Sequence, residues 1–326
     1  LSSADNKRIR EFSTARAFDI AWLPDIKENE VNRHQLLQQP IYYMAARSLL
    51  SSTSKEFIDS YKYNIKSVTD NNPYFDNSFK WSSLPELLSI SGRGGIALIG
   101  VGYPTLWFTL IQAIIAAIVL VLLPLAIVRR NKPSKLANRK NIVIYFTSIG
   151  LAFLFIEIAF IQQFTLILSQ PLYAVAVTLC AFLIFSGLGS LYAQKKMMTP
   201  SAVIMQRLLN RSIASIGIIT VIYVFAFPAI TDAIMAMSEP ARIAAAILLA
   251  APLSFAMGMP FPLGLTATRQ NDPTLMPWAW GINGCASVLS AILAILLAIE
   301  IGFSGVMLSA ILFYALAWMS QPLSSE

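Results

Sequence analysis

Charge is scarce in this chain: 13% of its 326 residues are Asp, Glu, Lys or Arg, about half the share of an ordinary globular protein. Histidine is scarcer still. His34 is the only one, so histidine-held zinc or haem and a Ser-His-Asp triad are excluded from the membrane part described below. Two cysteines, Cys180 and Cys285, both fall inside apolar runs and read as buried small hydrophobes. A disulfide framework or a thiolate metal site needs more thiols, or histidines at ligand spacing, so no metal site is expected. No Gly-rich phosphate loop follows a strand; Gly92-Arg-Gly-Gly95 follows none and reads as a flexible junction.

Long apolar runs fill the space that charge leaves. The hydrophobic fraction is 56% and the mean hydropathy +0.63. From 104 to 318 the chain is a succession of runs of roughly 20 residues, the length one helix needs to cross a bilayer core. A helix satisfies its own backbone hydrogen bonds in lipid, where irregular chain cannot. Seven spans are expected, at 104–128, 141–161, 172–193, 213–230, 241–263, 278–299 and 301–319. The last two could form a tight hairpin, since Glu300 and a few small residues separate them, and the run 94–128 has length for a span plus a re-entrant stretch.

The charge that remains is unevenly placed. Residues 1–103 hold 12 Lys/Arg and 11 Asp/Glu, whereas 104–326 hold 12 and 6, which accounts for nearly all of the net +7. A pI near 9.4 could suggest nucleic acid, but the excess sits in loops between apolar runs, where topogenic charge explains it better. Arg129, Arg130, Lys132, Lys135, Arg139 and Lys140 follow the first span, Lys195, Lys196, Arg207 and Arg211 the third, and Arg269 the fifth. The alternate loops, 169–171 and 231–240, carry no Lys or Arg. This pattern places the basic loops and the C-terminus inside and 1–103 outside.

Glu157 is the sharpest polar signal, a carboxylate in mid-span among Phe153, Leu154, Phe160 and Ile161. It is either a proton or cation site or an interhelical tie, and Asn283 in the sixth span is a candidate partner. Small residues at helical spacing in 185–190 and 281–287 mark close packing. In 257–264, Gly258, Pro260 and Pro262 break the fifth span; the break lines a cavity or is a plain helix end.

Residues 1–90 read as mixed α/β: helices over 4–16, 36–50 and 54–60, and a short strand at Phe18–Pro24. The segment FDIAWLP, then NRHQLLQQPIYYMAARSLL, then TDNNPYFDNSFKW resembles the end of the methyltransferase-type domain of bacterial membrane-bound spermidine-synthase-like proteins. LAFLFIEIAFIQQFTLILSQPLYAVAV, MGMPFPLGL and PWAWGINGCASVLSAILA resemble their membrane part. The resemblance implies that 1–90 is the trailing part of an α/β, Rossmann-like domain, 91–103 a junction and 104–326 the helical membrane domain. It also implies that the nucleoside loop and catalytic acid lie upstream, so this chain itself holds no cofactor. S-adenosylmethionine or its decarboxylated form would serve the full-length protein. Asp70 and Tyr74 in the TDNNPYF turn are then the substrate-facing candidates, their other reading being a capped turn with a packed aromatic. The expected partners are the bilayer, the upstream part of the same polypeptide and a small molecule. Function is open between a transporter-like or anchoring membrane domain handling polyamines or related small cations, and a membrane-tethered aminopropyl- or methyltransferase.

Overall fold

A computed structural model describes residues 2–35, 37–90, 102–128, 136–197 and 202–322. It divides into two units, 1–67 with 75–101, and 68–74 with 102–326. The loop 129–135 and the junction at 91–101, with the re-entrant stretch considered there, lie outside the described residues.

The first unit contains α1 (Ser3–Ala15), α2 (Ile41–Leu49), α3 (Ser54–Ser60) and α4 (Leu84–Ile90). Ser2 and Asp5 form a capping box that starts α1, satisfying N–H groups that the first turn leaves without partners. Arg10 bridges Asp25 and Glu30, each at 3.1 Å. The Lys80 ammonium donates to the carbonyls of Ile58, Asp59 and Tyr61, a cation at the negative end of α3. The expected strand at Phe18–Pro24 is not formed, and no strand occurs among the described residues. A lone strand has no ladder to join. Its Asp19 instead accepts backbone N–H bonds from Arg33, His34 and Gln35 and gathers a loop. An α/β methyltransferase-like architecture is therefore not visible in this unit.

The second unit is a helical bundle. Its elements are α5 (Gly102–Ala117), continued through a π-turn at Ile118–Leu122 into α6 (Leu123–Val128), then α7 (Leu136–Leu168) and α8 (Pro171–Lys196). They are followed by α9 (Ala202–Met235), α10 (Glu239–Met257), α11 (Pro260–Asn271) and α12 (Met276–Met319). Six helical stretches among the described residues are long and apolar enough to cross a membrane, which marks an integral membrane protein. The sixth, Pro273–Met319, is 47 residues long and breaks at Gly302, where φ is 73° and ψ 169°. Unbroken, α12 alone would stretch about 65 Å at 1.5 Å per residue. Its two ends meet instead: Asn271, just ahead of it, donates to the carbonyl of Pro322, just beyond it. The helix is therefore a hairpin of two arms, which fall at the positions of the sixth and seventh expected spans.

α7 is the axis of the bundle: most of its apolar stretch is buried, whereas that of α5 is almost wholly exposed. Both arms of α12 hold it. Ser290 donates to the carbonyl of Leu151 at 2.7 Å, and Phe155 meets Phe313 edge-on, with centroids 5.6 Å apart. Gly150 admits the first arm closely; a Cβ there would lie 2.9 Å from the Asn283 carbonyl oxygen. The expectation that both cysteines are buried is not met: Cys180 is exposed on the bundle surface and Cys285 is half-buried.

Candidate functional site

The break between α10 and α11 shapes the site. Pro260 lacks the N–H that would bond the Ala256 carbonyl one turn back, and Ser212 of α9 donates to that carbonyl instead, at 2.9 Å. The Tyr145 hydroxyl donates to the Pro260 carbonyl at 2.6 Å. Pro262 likewise brings no N–H to the carbonyl of Gly258. Gly258 lies against the backbone of Ser186, and Gly189 against that of Phe255, so α8 rides on the break with no room for side chains at either glycine.

Beside this contact is a groove of about 480 Å³. Its floor is the α7 face bearing Gly150, Phe153 and Leu154, and its walls come from α8, the break and α12. The groove contains all three expected break residues, Gly258, Pro260 and Pro262, together with Asn283. The break is thus both the end of α10 and part of the groove lining. Ser186, Ser190 and Ser287 add hydroxyls to an otherwise apolar wall, and Tyr314 contributes from the second arm of α12.

Glu157 is not part of the lining. It stands one turn beyond Phe153 and Leu154 and two turns beyond Gly150, hence on the same helix face as the floor. The residue is 8% exposed, and no hydrogen bond or ion pair engages its carboxylate among the described residues. Asn283, the expected partner, packs at the level of Gly150, about 10 Å along the helix from Glu157, and the two are not bonded. Past Glu157 the interior closes with rings. Phe160 packs against Phe164, Phe182, Tyr223 and Phe227 with centroids 5.3–5.7 Å apart.

The two other candidates lie elsewhere. Thr69 and Asn72 exchange backbone bonds, with Asp70 exposed at the tip of their turn. Tyr74 stacks on Phe303, centroids 5.9 Å apart, and burial pushes its phenol up to about 12. Between them, Asn71 and Asn72 clamp the break in α12. Asn71 accepts from Phe303 N at 2.9 Å through its carbonyl and from Ser304 N at 2.8 Å through its side chain. Asn72 donates its amide to the Ile299 carbonyl at 2.9 Å. One turn of chain thus caps the end of one arm and the start of the next, with the Tyr74 ring packed on Phe303 beside it. Glu300, one residue on, accepts from the Tyr103 hydroxyl at 2.9 Å. The clamp asparagines escaped the sequence reading, although they lie inside the TDNNPYF turn it singled out.

No family model, curated protein or solved structure matches this chain. Fold and site define its class, an integral membrane bundle with a groove beside a proline-broken helix.

Proposed function

We propose that this chain is a transporter-like membrane domain that binds a small molecule in the groove at the α10–α11 break, with Glu157 handling an accompanying proton or cation. The observation that carries the reading is the continuity of the groove floor with the unpartnered Glu157 on one face of α7, since intramembrane carboxylates without structural partners are functional by default. Broken helices beside a cavity are also where membrane transporters place their substrates. The groove wall carries no carboxylate, so a polyamine or related small cation, which the resemblance implies, would need Glu157 as its counter-charge. The basic loops support the orientation proposed here, with the C-terminus and the groove-side helix ends in the cytoplasm, and a bacterial inner membrane is what the resemblance implies.

The second reading, a membrane-tethered S-adenosyl-dependent transferase, rests on the resemblance alone. Tyr74, one of its two candidate substrate contacts, is engaged with Phe303. Proteoliposomes decide between a transporter and an anchor. Labelled spermidine and a fluorescent short-chain phosphatidylglycerol are the two probes. At least one should move faster than in empty liposomes, and Glu157→Gln and Gly187→Leu should each slow it several-fold. If neither probe moves, or both variants match wild type, the domain is an anchor.

A further inference from the structure

We propose that the occupant of the groove is a membrane lipid with an anionic headgroup, its acyl chain lying in the groove and its headgroup at the basic end of the bundle. This rests on the groove being a binding site, and it names the ligand class for that site.

The first support is the direction in which the groove opens. α8 packs on α7, α10 and α11, and α12 on α7, α9, α5 and α11, which leaves the face of α7 beside the start of α11 as a floor between α8 and the first arm of α12. Along that gap Leu183 and Gly187 are exposed, and a Cβ built at Gly187 or Gly284 would meet nothing within 4 Å. The opening is therefore sideways, toward the bilayer, rather than along the bundle axis, where the rings around Phe160 close it. A molecule already dissolved in the membrane has direct access.

Depth and size agree. Gly150, Gly187, Pro260 and Asn283 lie seven to ten residues from Lys140, Lys196, Arg269 and Met276 at the near helix ends, about 10–15 Å at 1.5 Å per residue. That is the depth of one leaflet's hydrocarbon, half of about 30 Å. A groove of about 480 Å³ is within the roughly 300–1,000 Å³ of small-ligand sites, the scale of one acyl chain. Ser190, nearest the basic end, and Asn283 offer polar atoms where a lipid-facing helix would ordinarily show none.

Charge selects the headgroup. The elements lining the groove end in Arg139 and Lys140 (α7), Lys195 and Lys196 (α8) and Arg269 (α11), and Arg139 is on the same α7 face as the floor. Asp272 is the acid at that end among the described residues, and it accepts from Thr274 N. A cationic solute entering from this side meets repulsion, whereas an anionic headgroup gains attraction from each nearby base. The same bases set the topology; the groove adds an opening beside them that an acyl chain can fill.

The full chain in detergent, titrated with phosphatidylglycerol and with phosphatidylcholine of matched chains and read by native mass spectrometry, tests this. Phosphatidylglycerol should bind at least tenfold more tightly. Gly187→Leu, which fills the groove where space is open, should weaken it about tenfold with unfolding temperature unchanged. The triple change Arg139→Gln, Lys195→Gln, Lys196→Gln should weaken phosphatidylglycerol and leave phosphatidylcholine alone. Equal affinity for the two lipids, or binding untouched by Gly187→Leu, means annular lipid only and overturns the proposal. If that happens while Gly187→Leu still slows spermidine uptake, the groove is a solute site and only the ligand class is wrong. If Gly187→Leu affects neither, both readings fall together.

Discussion

Gly302→Ala should be among the most damaging single-methyl additions in the bundle. The residue sits at φ 73°, ψ 169°, a region that essentially only glycine occupies, and forcing another residue there costs about 1–3 kcal/mol. A Cβ would also press on the Asn71 side chain and lie 3.0 Å from the Asn71 carbonyl oxygen. Asn71 would have to retreat and give up its bonds to Phe303 N and Ser304 N, each of about 1 kcal/mol. The sum is about 3–5 kcal/mol. Asn71→Ala alone loses only the side-chain bond to Ser304 N, about 1 kcal/mol. Because the two changes share one contact, their effects should not add: Gly302→Ala should cost about 1 kcal/mol less in the Asn71→Ala background. Unfolding in detergent, followed by intrinsic fluorescence for the four members of the cycle, measures the coupling. Full additivity would refute the clamp, and a Gly302→Ala protein as stable as wild type would refute the hairpin geometry itself.

The remaining expectations are local. Gly187→Ala should leave stability unchanged, since a Cβ there has open space, whereas Gly189→Ala should destabilise by several kcal/mol because its methyl would enter the Phe255 backbone and neither helix can move without opening the break; equal unfolding temperatures would contradict the α8–α10 contact. Glu157→Leu should stabilise the protein by relieving a lone carboxylate of its desolvation cost, and a loss of stability with Glu157→Gln tolerated would instead make it an interhelical tie. Cysteines placed at Lys195 and at Lys135, in the loop outside the described residues, should be protected from an impermeant maleimide on intact cells while one at Asp70 is labelled; the reverse pattern overturns the orientation. In the first unit, hydrogen bonds from the Arg10 side chain hold the Asp25 and Glu30 carboxyls below the usual carboxylate range. Their stabilisation is then full above about pH 4 and disappears as pH falls through the lowered values. Arg10→Gln should accordingly speed amide exchange in α1 at pH 7 and match wild type near pH 2, and a difference that persists at pH 2 would sink the ion-pair account.

The spans were legible because length decides them: no soluble fold needs runs such as 105–128, and the hairpin was foreshadowed by the two runs that meet at Glu300. What local pattern could not supply was partnership. FDIAWLP has the composition of a strand, but a strand exists only with a neighbour, and Asp19 had a competing use in gathering the loop at 33–35. The TDNNPYF turn was recognised as a turn, yet the Asn72–Ile299 bond joins residues 227 apart in sequence, and nothing in the spacing of either segment points to the other. Glu157 and Asn283 were singled out for the same reason, polarity amid apolar neighbours. The structure separates them because the first arm of α12 sets Asn283 against Gly150, two turns from Glu157, so a shared property did not bring a shared site. The groove was half visible. Its prolines and glycines could be read directly, but its opening depends on the spacing of α8 and α12 across the α7 face, which no single segment reports.

The clamp bears on the choice between the two functions. Trp318 and Gln321 donate to Asn210, and Asn271 donates to Pro322, so the ends of α11 and α12 and the start of α9 gather at one end of the bundle, with the basic loops. The clamp holds the opposite end of the α12 hairpin at Ile299–Ser304. Residues 68–74 therefore touch the bundle at the end away from the basic residues. With those residues in the cytoplasm, as proposed, residues 68–74 lie outside, where S-adenosyl compounds are not supplied. A cytoplasmic transferase that uses Asp70 or Tyr74 and a cytoplasmic basic end therefore exclude each other. The maleimide pattern at Asp70 and Lys195 therefore reports on enzyme against transporter as well as on sidedness.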